Sequence, residues 1–365
     1  MARRVKISDV AKACGVSISC VSNILSGSKR YSFKPETIKK VRETARKMNY
    51  TVNPMAASLR TQKNKIIIGV LGSADRHCDM ELMIKLKTEL YKHGYKLVIQ
   101  IMTDMTDEQR VDFLSKIYRW GEGLIIVSTG INPDSHWYPA LQELLKSAPP
   151  SVNTSFEMPG TQVDYIRITY YEHWDRIGEF FHRHNCRKVL TCGFSNPEIC
   201  HRAFVDAMSK YGITGDTLIF SNPSGSHNFY HAPARKIIEL LQQDPDGFPQ
   251  GIYCQSDETA YALSREFAAV GIRIPQDIVM LGGGDSDIRF RLSPALPVFV
   301  HDTDEQVRCA VADLLARIQR GDLLPGTGRK IMDLEQFIKY PEENKDVDFN
   351  ITYFKGNFNQ GEQLS

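Results

Sequence analysis

From Ser8 to Leu25 the chain reads SDVAKACGVSISCVSNIL, and after Ser8, Asp9 and Lys12 its polar side chains are bunched at Ser17, Ser19, Ser22 and Asn23. Hydroxyl and amide groups so spaced suit phosphate oxygens and base edges, and no base and orienting group accompany them as a nucleophile would require. A pair of short helices is what must position them. Val10 and Ala11 lie on the inner face of the first, Gly15 allows the positive φ of a tight turn, and Val21 and Ile24 lie one turn apart on the second. Ala11 has to be small because the second helix crosses close above it. Ser17 is a natural N-cap, which leaves Ile18, Ser19, Ser22 and Asn23 outside, near the helix end that enters a DNA major groove in helix-turn-helix proteins. An ordinary helical hairpin shares the apolar pattern, so the flanking charge has to separate the two.

That charge is uneven. Residues 1–65 hold fifteen Lys plus Arg against Asp9, Glu36 and Glu43, a balance of +12, in a chain whose net charge is only +2. The remaining 300 residues therefore carry −10. A basic block of this density attracts phosphate through counterion release, and an acidic remainder avoids nonspecific adhesion to nucleic acid. Alone, a charge run is a solvated face. Lying over a helix-turn-helix pattern, it points to double-stranded DNA.

Pro35 and Glu36 open a third helix, with Ile38, Val41, Ala45 and Met48 on one face and Lys39, Lys40, Arg42, Arg46 and Lys47 outside. Three such helices share one small core. Next, Asn53 can cap a short helix with Pro54 in its first position, continuing through Ala57 and Leu59. About two turns are too few to be stable alone. The segment reads either as a hinge that folds on DNA, with Leu59 as an apolar wedge in the minor groove, or as a linker whose Leu59 packs on the core.

The order KISDVAKACGVSISCVSNIL, KPETIKKVRETARKMNYTVNP, MAASLR resembles the headpiece and hinge of the lactose/galactose repressor family over residues 5–62. The resemblance implies that Ile18, Ser19 and Asn23 face base edges. It implies that Lys6, Ser17 and Ser22 position phosphates, and that Ala57 and Leu59 of two subunits meet in the minor groove and open a base step. The loop from Ser26 to Lys34 is about two residues longer than the family pattern, and Lys34 stands where a Ser usually caps the third helix.

Beyond the hinge, apolar β-rich runs at 66–71, 96–101 and 123–127 alternate with helical segments near 80–93 and 107–119. A second set has strands near 189–193, 217–220, 251–254 and 278–282 and helices near 172–184, 198–211, 232–243 and 257–270. This predicts an α/β core of two doubly wound parallel sheets with a ligand cleft between the lobes. SDETAYALSREFAAVGIRIPQDIVMLGGGD and the following LSPAL are similar to the periplasmic-binding-protein-like core of the same family. The domain reading is a headpiece at 1–52, a hinge at 53–64, a two-lobed effector-binding and dimerisation core at 65–340, and an extension at 341–365. In that extension Val347, Phe349, Ile351 and Tyr353 alternate with polar residues as in a half-buried strand, and the tail from Gly356 reads as unstructured.

The resemblance also locates an effector site, and here the chain departs from the family. Relatives carry an Arg three residues before a Gly-Phe pair. The equivalent pair is Ala203-Phe204, so Cys200 takes that place, with Arg202 two positions on. The Asp of the usual Gly-Tyr-Asp segment falls at Gly284, beside Asp285, and the Asp-Asn pair opening the second lobe falls at Thr169-Tyr170. Asp257 is either a polar substitute or the N-cap of its helix. Losing charged, bidentate partners disfavours an ordinary sugar bound in the ordinary manner.

Other chemistry is poorly supported. Gly282 to Gly284 lacks the spacing of a phosphate loop, and reads as a strand-to-loop turn. His182, His184 and Cys186 lie near a helix end among basic residues and read as solvated side chains, so no metal or cofactor is expected. Trp137, Tyr138 and Trp174 read as core packing. Eight cysteines without a CxxC pair, and no apolar run long enough to cross a bilayer, point to reduced thiols in a soluble, cytoplasmic protein. The expected function is a sequence-specific transcription regulator, a homodimeric repressor on a pseudo-palindromic operator, modulated by a small molecule. The alternative is a DNA-binding regulator whose core serves protein interaction or dimerisation without an effector. An enzyme is the third and least supported reading, for want of a catalytic constellation.

Overall fold

The computed structural model describes residues 5–25, 31–50, 64–74, 77–168, 174–193, 197–219, 231–243, 249–284, 286, 288 and 295–340, with the backbone alone at 197–200, 219, 231–233 and 241–242. Helices α1 (Ile7–Cys14), α2 (Ile18–Leu25) and α3 (Pro35–Lys47) form the headpiece. None is long enough to persist alone, and their shared core of Val10, Ala11, Cys14, Val21, Ile24, Val41 and Ala45 holds them together. Ile38 and Met48 pack at its edge.

The chain divides into two compact units, Met1–Ile168 with Asp302–Leu334, and Thr169–His301 with Glu335–Ser365. In the first, β1 (Ile66–Leu71), β2 (Lys96–Ile101), β3 (Gly123–Ile126), β4 (Ser151–Asn153), β5 (Asp164–Ile168) and β11 (Lys330–Leu334) form a sheet in the order β11-β5-β4-β3-β1-β2, parallel throughout. Ile67 stands opposite Leu97 on one side and Gly123 on the other. The strands of such a sheet are covered on both faces, which is why β1 and β3 read as unbroken apolar runs. Leu82, Met83, Leu86 and Leu90 of α4 (His77–Lys92) pack one face together with Val311, Leu314 and Leu315 of α11 (Thr303–Arg320). The other face is covered by Leu114 and Ile117 of α5 (Asp107–Ile117) and by Leu141 and Leu145 of α6 (Tyr138–Lys146).

Between α11 and the start of β5 lies a buried ion pair that the residue pattern gave no hint of. Arg317 of α11 donates to Asp164 Oδ2 at 3.2 Å, to Ser151 O at 3.0 Å and to the carbonyl of Pro325. Asp164 Oδ1 in turn accepts from the amides of Thr327 and Arg329.

In the second unit, β6 (Lys188–Gly193), β7 (Thr214–Ile219), β8 (Gly251–Cys254), β9 (Val279–Gly283), β10 (Val298–His301) and β12 (Gln336–Lys339) lie in the order β12-β10-β9-β8-β6-β7. All pairings are parallel except β10 with β12. Helices α7 (Asp175–Arg183), α8 (Pro197–Ser209), α9 (His231–Gln243) and α10 (Asp257–Ala269) complete it. Trp174 is buried edge-on to Phe204 at 5.6 Å and to Tyr253 at 6.2 Å, and Tyr138 is buried in the first unit, both as core packing; Trp137 is half-buried.

Cys186 corrects an expectation. It is buried, whereas His182 and His184 are exposed. The chain turns through the left-handed Asn185 (φ 58°) after α7, and the Cys186 amide then bonds to Phe181 O, carrying the thiol back inside. Among the described residues no group of His, Cys, Asp and Glu could hold a metal ion, the seven described cysteines are unpaired, and no helix is long and apolar enough to cross a membrane. The strand pattern at 347–353 lies outside the described residues.

Candidate nucleic-acid interface

At the end of α1, Gly15 adopts φ 68°, and the amide of Val16 bonds back to Ala11 O at 3.1 Å. A Cβ at Gly15 would meet nothing within 4 Å, so glycine is required there by the left-handed backbone and not by space. The reversal starts α2 at Ile18, and Ser17 Oγ accepts from the amide of Cys20 at 3.1 Å, as an N-cap should. At the start of α1, Asp9 accepts from the amide of Lys6 at 2.8 Å.

The outward residues divide into two groups. Lys6, Ser17, Ile18 and Ser19 are exposed, Ile18 by 51%, while Ser22 and Asn23 are half-buried one turn further along α2. A single exposed apolar side chain is ordinary on a protein surface, so Ile18 matters here for its place at the capped end of α2. Of the headpiece's basic residues, Lys12, Lys34, Lys39, Lys40, Arg42, Arg46 and Lys47 are all exposed. From the residues, Arg42 and Arg46 belong to the basic block on the outer face of α3, with no individual role. In the structure they border a shallow groove floored by Leu25, Ala45 and Tyr50, and their spacing of one helical turn was the available signal. Ala57 and Leu59 lie outside the described residues.

The residues expected at an effector site are only partly gathered. Thr169, Tyr170 and Asp285 lie outside the described residues, as does the side chain of Cys200, while Arg202 is exposed on α8. Asp257 and Gly284 do come together. Asp257 is not the N-cap of α10: Ser256 is, its hydroxyl accepting from the Thr259 amide at 3.2 Å. With the cap one residue earlier, the buried carboxylate of Asp257 is released to accept from the amide of Ser286 at 2.8 Å. Gly284 has φ 123°, and a Cβ there would lie 2.8 Å from Asp257 Oδ2. At Gly283 a Cβ would lie 2.8 Å from the carbonyl of Cys254. Gly283 and Gly284 thus follow from close approach by the end of β8 and the start of α10, while a Cβ at Gly282 would lie 3.0 Å from the Val298 side chain of β10.

Residues 6–53 match the family described as bacterial regulatory proteins, lacI family, and residues 179–332 match the periplasmic binding protein-like domain. The chain is 20% identical over 339 residues to the HTH-type transcriptional repressor CytR of Escherichia coli (strain K12), covering 91% of this chain and 94% of that one. It is 25% identical over 331 residues to the HTH-type transcriptional repressor PurR of Aliivibrio salmonicida, covering 86% and 92% respectively. Two solved structures share the fold. A LacI-family transcriptional regulator from Silicibacter pomeroyi is 20% identical with a TM-score of 0.70, over 92% of this chain and 98% of that one. The lac repressor dimer bound to operator and the anti-inducer ONPF is 17% identical with a TM-score of 0.66, over 93% and 98%. A capped helix pair in a basic headpiece, followed by two doubly wound units, agrees with these matches: the chain carries a lacI-family DNA-binding domain at residues 6–53 and a periplasmic binding protein-like domain at residues 179–332, the make-up of a DNA-binding transcription regulator.

Proposed function

We propose that the chain acts as a homodimeric repressor on a pseudo-palindromic operator, with its DNA affinity set by a small molecule bound in the core. The observation that carries the DNA reading is the Ser17-capped N-terminus of α2, which leaves Ile18 and Ser19 exposed in a headpiece whose Lys6, Lys12, Lys34, Lys39 and Lys40 are exposed as well. In this reading Ile18, Ser19 and Asn23 read base edges, Lys6, Ser17 and Ser22 hold phosphates, and Ala57 and Leu59 enter the minor groove. The headpiece is residues 1–52, the hinge 53–64 and the core 65–340, with 341–365 as an extension. The relatives named as repressors support the direction of regulation, and the lac repressor dimer on its operator supports two copies per site. Each headpiece is small and each half-site short, so tethering two of them supplies the effective concentration that specific binding needs.

Relatives solved with cellobiose and with ribose support a small-molecule effector. Thr169, Tyr170, Cys200, Arg202, Asp257, Gly284 and Asp285 are the positions assigned to it here. A second reading, a core for protein interaction or dimerisation without an effector, is favoured by one observation: the Asp257 carboxylate is turned onto the Ser286 amide, and Gly284 offers no side chain.

The test starts from DNA sites enriched out of a random library by the full-length protein. A fragment ending at residue 64 is expected to bind such a site far more weakly than the full chain at the same salt, while retaining salt-dependent nonspecific binding. Equal affinity of fragment and full chain overturns the dimer reading. Saturation binding of a metabolite panel, with and without that DNA, separates the two readings of the core.

A further inference from the structure

The polypeptide enters the first sheet through Asn64 and Lys65, and these residues are tied down with unusual thoroughness for the end of a linker. Asn64 Nδ2 donates to the carbonyl of Trp120 at 2.7 Å, and Asn64 Oδ1 accepts from the amide of Ile66 at 2.9 Å. The amide of Lys65 donates to Glu122 Oε1 at 2.6 Å, a short charge-assisted bond, while its carbonyl accepts from the amide of Lys96 at 2.8 Å. The amide of Glu122 closes the set on Ile66 O at 2.8 Å. Lys65 itself sits at φ 53°, a left-handed conformation that lysine rarely adopts and that persists only where its surroundings over-determine it. Its ammonium lies 5.7 Å from the centre of the Tyr95 ring, and Tyr95 is buried.

These contacts do more than start β1. Pairing of β1 with β2 and β3 already begins at Ile66 and Ile67, so the strand has its register without Glu122. Besides facing the hydroxyl of buried Tyr95, the Glu122 carboxylate adds a fixed backbone direction at the residue before the strand. A carboxylate is also the wrong sign beside a segment that leads to a DNA-binding headpiece, unless it serves geometry.

We propose that Glu122 is a positioning residue for operator recognition: by holding Lys65, it sets the direction in which the chain leaves the sheet toward the headpiece, and so the separation at which two headpieces meet their half-sites. The inference rests on the homodimer reading given above and adds to it the element that fixes spacing. Asn64 works with Glu122 as the second tie.

The experiment uses the full-length chain and a series of DNA duplexes carrying two selected half-sites, with the spacer lengthened or shortened one base pair at a time at constant salt. Wild type is expected to bind one spacing at least tenfold better than its neighbours. Glu122→Ala is expected to flatten that preference to within about threefold, with affinity for a single half-site and the thermal unfolding midpoint of the core unchanged. Glu122→Gln keeps an acceptor for the Lys65 amide and is expected to keep the wild-type profile. Asn64→Ala, at an exposed residue, is expected to flatten the profile too, and decides the matter if Glu122→Ala does not fold. A selective wild type beside equally selective Glu122→Ala and Asn64→Ala overturns the proposal alone. A wild type indifferent to spacing overturns the homodimer reading, and this proposal with it.

Discussion

The hydroxyl of Ser17 accepts a hydrogen bond from the backbone amide of Cys20, 3.1 Å away, and this bond fixes where α2 begins. It satisfies one of the free N–H groups of the first turn, leaving Ile18 and Ser19 exposed at the positive end of the helix. In the function proposed above, fold and binding surface meet in this one side chain.

Ser17→Ala should therefore lower headpiece stability by about 1 kcal/mol, and Ser17→Gly by only a few tenths. Calorimetry of the headpiece transition, beside a salt titration of DNA binding, checks both. A Ser17→Ala protein with weakened binding and an unchanged headpiece transition would assign Ser17 to phosphate alone.

Reading and positioning separate in a second pair of substitutions. Asn23→Ala or Ser19→Ala should relax base preference inside one half-site by roughly 1–3 kcal/mol, where a base-edge hydrogen bond is lost. Lys6→Ala should weaken all sequences alike and reduce the slope of log affinity against log salt by about one. Asn23 is half-buried, so its unfolding midpoint has to be followed in parallel. Equal losses on selected and random DNA, at unchanged stability, would remove Asn23 from the reading set.

Much of this was legible in the residues because short-range physics dictated it. The inner positions Val10, Ala11, Val21 and Ile24 are buried and Gly15 is left-handed, since helix periodicity and the turn leave no other choice. Strands β1, β3, β6 and β8 announce themselves by apolar runs. β4 does not, having only three residues, and neither do β11 and β12, edge-lying strands with mixed side chains. Arg317 and Asp164 stand 153 positions apart, and nothing local marks either as buried. The role of Asp257 stays open in the residues because Ser256 and Asp257 are both good caps; the Ser256 hydroxyl on the Thr259 amide and the Ser286 amide on Asp257 decide it. The tie between Lys65 and Glu122 was invisible for the same reason as the Arg317 pair: it depends on which strands are neighbours.

Gly284 and Asp257 give a third prediction. Gly284→Ala places a methyl 2.8 Å from the Asp257 carboxylate at φ 123°, so it should destabilise the second unit by about 1–3 kcal/mol in urea unfolding. Asp257→Ala should lower stability by its own lost hydrogen bond to Ser286, yet make Gly284→Ala less costly in the double variant. The part of the penalty that remains belongs to the backbone conformation. Strict additivity of the two substitutions would mean that the carboxylate does not occupy the space beside Gly284.

The cysteines turn burial and DNA contact into one measurement. Burial pushes the Cys186 thiol up to about 11, and the wholly buried Cys192 thiol is raised further. At pH 8 only about one Cys186 thiol in a thousand is then ionised, so alkylation of it should be very slow and should quicken about a hundredfold by pH 10. Cys192 should react only on unfolding. Cys20 lies half-buried on the first turn of α2, next to Ser19, and should be labelled in the free protein. Adding the selected DNA should protect Cys20 and leave Cys78, on α4 of the first unit, as reactive as before. Mass spectrometry of the labelled peptides resolves each site. Protection of Cys20 that disappears at high salt together with specific binding would tie the first turn of α2 to the DNA. Labelling of Cys20 at the same rate with and without DNA, under conditions where the complex is intact, would move the reading surface away from α2.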